Sequence, residues 1–356
     1  MKKHYSPLGK LRIYGQLVQH RARQGHLPIY RQLLEMFALW IWRGQGPGYY
    51  HAAGFWRREI PWQDKTLHMN MREYRAEIAR FNRPEYQKIS QNKIPEKGIL
   101  SLFGIPGTEF LGYLHKFGGM DRKGNPLRTP ADLGQLIKTL SMDRICFKPA
   151  ESWAGQGFAS VDISSYEDTG SLKLANEEKD ISIEDLFSRI LKIDRGVTAV
   201  IESHFEQHEW YSHLNPSSVN TFRLWVLQTD DEINTKLGYL RIGRANSMVD
   251  NQSSGGIVAS IDLESGVLGA AIDGLPTRES WSNHPDTGSP IEGQKPPFFE
   301  EAKKLAEHCI SCFPGLHFAG MDVAVGENGP VIIELNVNPD REGAAFTDIP
   351  TSTVFN

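Results

Sequence analysis

The stretch at residues 316–340, LHFAGMDVAVGENGPVIIELNVNPD, constrains the fold most because it predicts two strands joined by a tight turn. Segments 319–325 and 330–337 are rich in β-forming residues, and Glu327-Asn328-Gly329 is a hairpin signal. A three-residue turn at 327–329 would set Asp322 opposite Glu334. Alternation then predicts that Glu334 and Asn336 share one face. The residues expected on the other face are Val331, Ile333, Leu335 and Val337.

Two carboxylates and an amide oxygen would therefore converge beside apolar residues. Like charges this close repel each other unless a cation lies between them. Hard oxygen ligands suit Mg²⁺ or Mn²⁺, especially where phosphate oxygens complete the coordination shell. The alternative is the solvated face of an ordinary hairpin.

Length and composition narrow the class of protein. A chain of 356 residues is long enough for two or three lobes. A net charge of -4 gives no footprint for nucleic acid, and three cysteines indicate a reducing compartment without a disulfide framework. The N-terminus lacks the apolar core of a signal peptide, and the longest apolar run, 29–42, is too short to span a bilayer. We expect a cytoplasmic protein without a transmembrane segment, and peripheral membrane contact stays open.

Residues 1–90 are predicted to be a helical N-terminal region. A helix over 27–43 should end at the glycine-rich turn that begins with Gly44. Four tryptophans, Trp40, Trp42, Trp56 and Trp62, cluster around that turn. We favour their packing against the rest of the protein. The alternative is an interfacial helix or a dimer face, so a homodimer through these helices is possible.

Residues 91–145 are predicted to form a small mixed lobe, with one helix opened by Asn92-Lys93 and another at 130–140. A hairpin should follow, with strands at 144–148 and 158–163 around a loop of small residues. Glycines let such a loop approach an anion, and Lys148 would supply a point charge for phosphate. A structural hairpin loop is the alternative.

The second half of the chain predicts further strands at 197–205, 218–227, 236–243 and 257–263. Strict alternation keeps Asn220 and Arg223 on different faces. The polar loop 241–256, which ends in Gly255-Gly256, suits an anionic substrate or is a flexible surface loop. A helix at 298–312 carries Cys309 and Cys312. We interpret these as buried thiols rather than a redox or zinc site.

The order of these features resembles the ATP-grasp superfamily from about residue 90 to the C-terminus. The Asn220-Thr-Phe-Arg223 element, the VDN…GG element at 249–256 and the ELNVNPD ending are most similar to the sugar-transfer-associated branch. The resemblance implies an α+β fold in which two α+β lobes clasp ATP, with an added N-terminal helical region. Lobe 1 would be residues 146–205 and lobe 2 residues 206–356.

The resemblance also implies roles for individual residues. Arg223, Arg241 and Asn251 would face the reacting carboxylate and the γ-phosphate. Asp322, Glu334 and Asn336 would carry Mg²⁺, as two ions, with Mn²⁺ possible. The implied ATP contacts are Lys93 and Lys148 on phosphates, the loop Ala154, Gly155, Gln156 and Gly157 over them, Glu202, Ser203, His204 and Phe205 at adenine through backbone atoms, and Glu209 at ribose.

The implied activity is an ATP-dependent ligase that joins a small-molecule or peptide carboxylate to an amine through an acyl phosphate and releases ADP and phosphate. A phosphotransferase on the same scaffold and a non-catalytic nucleotide-binding regulator are the alternatives. The N-terminal helices are not part of the ATP-grasp core, and the chain stops about twenty residues after Glu334, so the substrate lobe would be unusually trimmed.

Overall fold

The computed structural model describes residues 7–151, 157–175, 177–193, 198–245 and 247–356. Helices and antiparallel strands are mixed along the chain, which confirms the predicted α+β class. The helices of this part are α1 (Pro7–Arg23), α2 (Ile29–Arg43), α3 (Pro47–Ala52), α4 (Trp62–Leu67), α5 (Met71–Phe81), α6 (Pro84–Gln91), α7 (Lys93–Leu102), α8 (Pro130–Lys138), α9 (Tyr166–Thr169), α10 (Ile183–Ile193), α11 (Glu209–Leu214), α12 (Phe299–Ser311), α13 (Glu342–Phe346) and α14 (Thr351–Val354). The strands are β1 (Phe110–Leu114), β2 (Met120–Asp121), β3 (Arg144–Pro149), β4 (Ala159–Asp162), β5 (Leu172–Leu174), β6 (Asp180–Ile181), β7 (Ala199–Ser203), β8 (Thr221–Gln228), β9 (Ile233–Ile242), β10 (Ile257–Ile261), β11 (Leu268–Asp273), β12 (Ser280–Trp281), β13 (Phe318–Gly326) and β14 (Gly329–Asn336).

The first sheet has the order β2-β1-β7-β3-β4-β5-β6. Helices α8 and α10 contribute apolar side chains to the core that covers it. Thr129 caps α8, because its side chain accepts from the backbone N–H of Asp132 and the Asp132 carboxylate accepts from that of Thr129. The predicted hairpin of β3 and β4 is confirmed, and Lys148 lies next to the end of β3.

The second sheet has the order β12-β11-β10-β9-β8-β13-β14, and its main core packs against α12. The β13–β14 hairpin pairs Asp322 with Glu334, as predicted, although the turn is tighter than expected because Gly326 pairs with Gly329. A bulge at Ile333 of β14, opposite the step from Asp322 to Val323, adds the residue that brings Glu334 opposite Asp322. The predicted alternation was wrong at this bulge, since Ile332 enters the core and Ile333 faces the cleft described below.

The N-terminal helices pack on the second sheet near its C-terminal segment. Asn82, after α5, donates to the carbonyl oxygens of Phe318 (2.7 Å) and Val337 (3.1 Å). Tyr74 in α5 donates to the carbonyl of Pro339 (2.9 Å), and the guanidinium of Arg341 lies 3.7 Å from the ring centre of Tyr49 in α3. These helices are therefore fixed to the start of β13 and to the segment that follows the β13–β14 hairpin.

The tryptophans around the turn after α2 divide into two groups. Trp56 is buried and Trp62 is partly buried against the same core, as we favoured, and Trp56 forms a cation–π contact with Arg21 at 3.9 Å. The same expectation was wrong for Trp40 and Trp42, whose exposed fractions are 58% and 73%. The helix ends where predicted, because Gly44 takes the left-handed conformation at φ 62° and caps it.

The pairing of β1 affects where the boundary between the lobes is drawn. Strands β1 and β2 lie within the predicted 91–145 lobe, yet β1 pairs with β7 in the same sheet as β3. A boundary at 145 would cut this sheet. We propose one lobe around the first sheet, from about α7 to β7, and a second lobe from residue 206 onward, with residues 1–90 as the added helical region. No helix of the described part is both long and apolar enough to cross a membrane.

Candidate active site

A cleft of about 570 Å³ lies between the two sheets. Side chains of β3 and β7 line one wall, and side chains of β8, β9, β13 and β14 line the other. The lining includes eleven of the residues singled out from the sequence, which are Lys93, Lys148, Ser203, His204, Phe205, Arg223, Arg241, Asn251, Asp322, Glu334 and Asn336.

Asp322 is held by two arginines on neighbouring strands. Arg223 Nε donates to Oδ1 at 2.5 Å and Nη2 to Oδ2 at 3.0 Å, while Arg241 Nη1 donates to Oδ2 at 2.9 Å. Burial alone would raise the pKa of Asp322, but the two guanidinium groups outweigh it and hold that pKa below its usual range. The carboxylate is therefore ionised, and cations of the protein already lie beside it.

Arg241 also joins the polar loop to the sheet. Its Nη2 donates to Asp250 Oδ1 at 2.6 Å and contacts the side-chain oxygen of Asn251. Thr221 anchors the other oxygen of Asp250, since its hydroxyl donates at 2.5 Å and its backbone N–H at 3.1 Å. A Cβ at Gly256 would lie 2.2 Å from the carbonyl oxygen of Asp250, so only glycine allows this loop to fold back so closely.

The side chains of Asn220 and Arg223 lie on different faces of the strand, as expected from strict alternation. Asn220 is buried, donates to the carbonyl of Tyr211 (2.9 Å) and accepts from the backbone N–H of Gly243 (3.1 Å). It thereby fixes the chain that enters β8. Thr221 and Arg223 alternate from it and face the cleft.

A second ionic cluster lies on the other wall. Lys148 Nζ is 2.7 Å from Glu202 Oε2, and Lys97 Nζ is 3.7 Å from Glu202 Oε1. The hydroxyl of Thr108 donates to Glu202 at 2.6 Å. Burial would raise the pKa of Glu202, but Lys148 and Lys97 lower it to about 2. Glu202 thus presents a fixed anion that holds two lysines beside the cleft.

Helix α7 brings a third lysine and a buried acid to the same region. Lys93 opens the helix, and its Nζ is 3.3 Å from Glu334 Oε1. Glu96 is fully buried, and neither carboxylate oxygen has a side-chain hydrogen-bond partner. Burial, reinforced by Glu334, raises the pKa of Glu96 to about 8, although Lys97 and Lys93 oppose the shift. Glu96 is therefore mainly protonated at neutral pH.

The other residues predicted to contact ATP differ in whether they lie at the cleft and have free groups there. The backbone N–H of Ser203 donates to the carbonyl of Glu109 (2.9 Å) and that of His204 to the carbonyl of Arg144 (3.3 Å), so neither is open to adenine. Glu209 is outside the cleft lining, with a side chain that is 78% exposed and 3.8 Å from His213. Ala154, Gly155 and Gln156 lie outside the described residues, and Gly157 directly follows them with φ 77°.

Sequence reasoning missed four polar residues of the site: Thr108, Thr221, Asp250 and Lys97. Lys97 had a usable signal, because it lies four residues after Lys93 and residues at this spacing share a helix face. Asp250 had one too, since it lies within the VDN element.

The donor set fits a divalent cation that is shared with phosphate. Within the described residues, no cluster of three or more His, Cys, Asp or Glu side chains could hold a metal alone. Mg²⁺ is commonly bound through one or two carboxylates with phosphate oxygens completing the shell. Asp322 and Glu334 supply such carboxylates opposite each other on the hairpin, and the Asn336 side chain is 3.4 Å from Asp322 Oδ2.

A cleft between two sheets, lined by lysines, arginines and carboxylates, is the arrangement that the resemblance to ATP-grasp proteins implies, and a family comparison confirms that resemblance. The chain belongs to the sugar-transfer associated ATP-grasp family, whose model matches residues 73–355. No curated protein matches the chain.

Three solved structures illustrate what the chain is similar to. An N5-carboxyaminoimidazole synthase from Aspergillus clavatus has 13% identity and a TM-score of 0.37, with 75% of this chain and 53% of that chain covered. A D-alanine-D-alanine ligase from Coxiella burnetii has 11% identity and a TM-score of 0.39, with 75% of this chain and 55% of that chain covered. A biotin carboxylase from Campylobacter jejuni has 11% identity and a TM-score of 0.45, with 75% of this chain and 46% of that chain covered. The chain thus spans about half the length of these structures.

Proposed function

We propose that the protein is an ATP-dependent ligase that joins a carboxylate to an amine through an acyl phosphate. The observation that carries the proposal is the pair of arginines, Arg223 and Arg241, at the carboxylate-bearing end of a cleft whose other wall carries Lys148. Guanidinium groups bind carboxylates and phosphates by charge-assisted hydrogen bonds. One end of the cleft would therefore orient an acid against the γ-phosphate of ATP.

The charges favour an anionic nucleotide. Five cationic side chains meet four carboxylates around the cleft, while Glu96 is mainly neutral. The cations are Lys93, Lys97, Lys148, Arg223 and Arg241, and the carboxylates are Glu202, Asp250, Asp322 and Glu334. We assign Lys148 and Lys93 to phosphate oxygens. Mg²⁺ held by Asp322, Glu334 and Asn336 would act as a Lewis acid on the phosphates.

The residues of this chain mainly position the reactants. An oxygen of the substrate carboxylate, held by Arg223 and Arg241, attacks the γ-phosphorus while the bond to the β-phosphate oxygen breaks and ADP leaves. An amine then attacks the acyl carbon, a C–N bond forms, and phosphate departs with the proton that the amine gives up. Bringing the acid and ATP together at fixed charges lowers the barrier through proximity and electrostatic stabilisation.

The proposal is tested by supplying carboxylic acids with ATP, Mg²⁺ and hydroxylamine and measuring ADP, inorganic phosphate and hydroxamate separately. We expect equal amounts of ADP and phosphate with a hydroxamate from the right acid, and loss of the hydroxamate in Arg223→Ala. Arg244→Ala is the matched control, because Arg244 forms an ion pair with Asp286 (2.6 Å) outside the cleft lining.

Other outcomes would point elsewhere. A phosphorylated alcohol that accumulates with ADP and no free phosphate would identify a phosphotransferase. Nucleotide binding without ADP formation for any acid or alcohol would favour a non-catalytic regulator.

A further inference from the structure

Helix α2 turns its apolar side outward. Eight of its large hydrophobic side chains are exposed; seven of them recur at the helical repeat and form a stripe along one side, and Trp42 lies beside this stripe at the C-terminal end of the helix. We call these eight side chains the α2 face; they are Ile29, Tyr30, Leu33, Leu34, Phe37, Trp40, Ile41 and Trp42. Contiguous apolar patches of this kind are rare on monomeric proteins and mark interaction surfaces.

Polar contacts on the opposite side fix this orientation. Gln32 is buried and donates to the carbonyl oxygens of Leu27 (2.6 Å) and Val18 (3.2 Å). Glu35 is buried in an ion pair with Lys65 at 2.7 Å and accepts from the hydroxyl of Tyr50 at 3.1 Å. A buried ion pair is costly to break. Rotating the helix to cover the α2 face would unpair these groups, so the outward apolar side belongs to the fold.

The surrounding sequence is strongly basic. Residues 1–58 contain ten Lys and Arg residues and a single acidic residue, Glu35, whereas the whole chain has a net charge of -4. Helix α1, which packs against α2, has no acidic residue in its first turn and ends in His20, Arg21 and Arg23. Each basic residue near an anionic bilayer contributes about 1 kcal/mol of attraction.

We propose that the α2 face binds the surface of an anionic lipid bilayer, with α2 lying in the plane of the interface. The helix has 15 residues and extends about 22 Å, which is shorter than the roughly 30 Å hydrocarbon core. Tryptophan and tyrosine rings favour the headgroup level, and the apolar stripe enters the acyl boundary. The helix precedes residue 73, where the match to the family begins, so the lipid contact is additional to the proposed ATP chemistry.

The positive charge of the N-terminal segment favours an anionic bilayer over a second copy of the chain as the partner of the α2 face. A symmetric dimer through the α2 face would bring two copies of the basic segment 1–58 together, and like charges repel. An anionic lipid surface instead complements both the apolar stripe and the exposed basic residues of the same segment, such as Arg12, Arg23 and Arg58.

The test is flotation of the full-length protein with vesicles of phosphatidylcholine alone or mixed with phosphatidylglycerol, at low and high salt. We expect binding to the mixed vesicles that weakens with salt. Trp40→Ser combined with Trp42→Ser should lower the bound fraction about tenfold or more, because two large side chains lose their apolar burial. The matched control is Leu102→Ser with Phe117→Ser, which removes two other exposed side chains (77% and 83%) and should leave binding unchanged.

A charge-reversal variant keeps the proposal testable if the tryptophan variant does not fold. Arg12→Glu with Arg23→Glu changes two exposed residues of α1 and should also weaken binding to the mixed vesicles. Sedimentation velocity is measured alongside. The proposal would be overturned if the wild type did not bind vesicles at low salt, or if it bound equally with and without phosphatidylglycerol. It would also be overturned if the wild type formed a dimer and bound no vesicles, and the tryptophan variant were monomeric.

Discussion

Arg223 holds Asp322 with two parallel hydrogen bonds, from Nε to Oδ1 at 2.5 Å and from Nη2 to Oδ2 at 3.0 Å. Both side chains are largely buried, and Arg241 adds a third contact to the same carboxylate. Glu334, its partner across the hairpin, is 29% exposed and forms an ion pair with Lys93. The two proposed metal ligands therefore differ in how strongly the fold depends on them.

We predict that Asp322→Asn and Glu334→Gln both abolish Mg²⁺-dependent ADP formation but differ in stability. Asp322→Asn should lower the free energy of unfolding by about 3–5 kcal/mol, because two buried guanidinium groups lose their anion. Glu334→Gln should lower it by less than about 1 kcal/mol, since its carboxylate is partly exposed. Urea denaturation measures the difference, with Asp286→Asn as the control for a more exposed arginine pair. Full turnover in both variants would remove the metal assignment.

The sequence was sufficient to predict that Asp322 lies opposite Glu334, but not the local geometry that brings it about. We assumed a three-residue turn, whereas the chain uses a tighter turn together with a bulge near Ile333. Both arrangements place Asp322 opposite Glu334, because each adds one residue between Gly326 and Glu334, but they differ in the pairing between the bulge and the turn. A pattern of alternation cannot locate such a bulge, since the bulge itself breaks the alternation.

We predict that Lys148→Ala weakens ATP binding more than Lys93→Ala. A charge-assisted contact to phosphate contributes roughly 1.5–3 kcal/mol, which corresponds to an affinity loss of about 10–100-fold. Lys148 lies near the end of β3, a few residues before the phosphate loop predicted from the sequence at 154–157, and it forms an ion pair with Glu202 beside the cleft. Calorimetric titration gives the affinities, and Lys304→Ala on the exposed side of α12 is the control. Unchanged affinity in both variants would contradict the phosphate assignment.

The cluster around Glu202 shows why ion pairs were harder to predict than strands. Glu202 was expected to contribute backbone atoms, but its side chain joins β7 to β3 and α7 through Lys148 and Lys97. Contacts between residues so far apart in sequence depend on the docking of α7 against the sheet. Strand periodicity carries no information about that docking.

The protonation of Glu96 predicts a pH-dependent stability. Its pKa is about 8 in the folded protein, above the ordinary value of 4.5, so the unfolded chain releases this proton first as pH rises. The associated stability is complete below about pH 4.5 and is lost progressively toward pH 8. In the absence of nucleotide and metal, urea denaturation between pH 5 and pH 8.5 should show a fall of a few kcal/mol for the wild type.

Glu96→Gln provides the comparison for this effect, because it has a similar shape and no titrating group. We expect a flatter profile and a higher unfolding free energy than the wild type at the alkaline end. Parallel profiles for the two proteins would show that Glu96 does not titrate in this range.

The thiols give the last prediction. Cys309 and Cys312 lie at the C-terminal end of α12, Cys309 within it and Cys312 directly after it. Both are buried, and burial raises the pKa of each thiol. Among the described residues, no group of three or more His, Cys, Asp or Glu side chains could hold a metal ion. Elemental analysis should therefore find no stoichiometric zinc.

Cys146 differs because it lines the cleft, and burial raises its pKa only to about 11, with Lys148 opposing the shift. Mass spectrometry after alkylation of the native protein should find Cys146 labelled before Cys309, and ATP with Mg²⁺ should slow the labelling of Cys146 alone. One zinc per chain, or equal labelling of Cys146 and Cys309 with no effect of ATP, would refute this interpretation of the three cysteines.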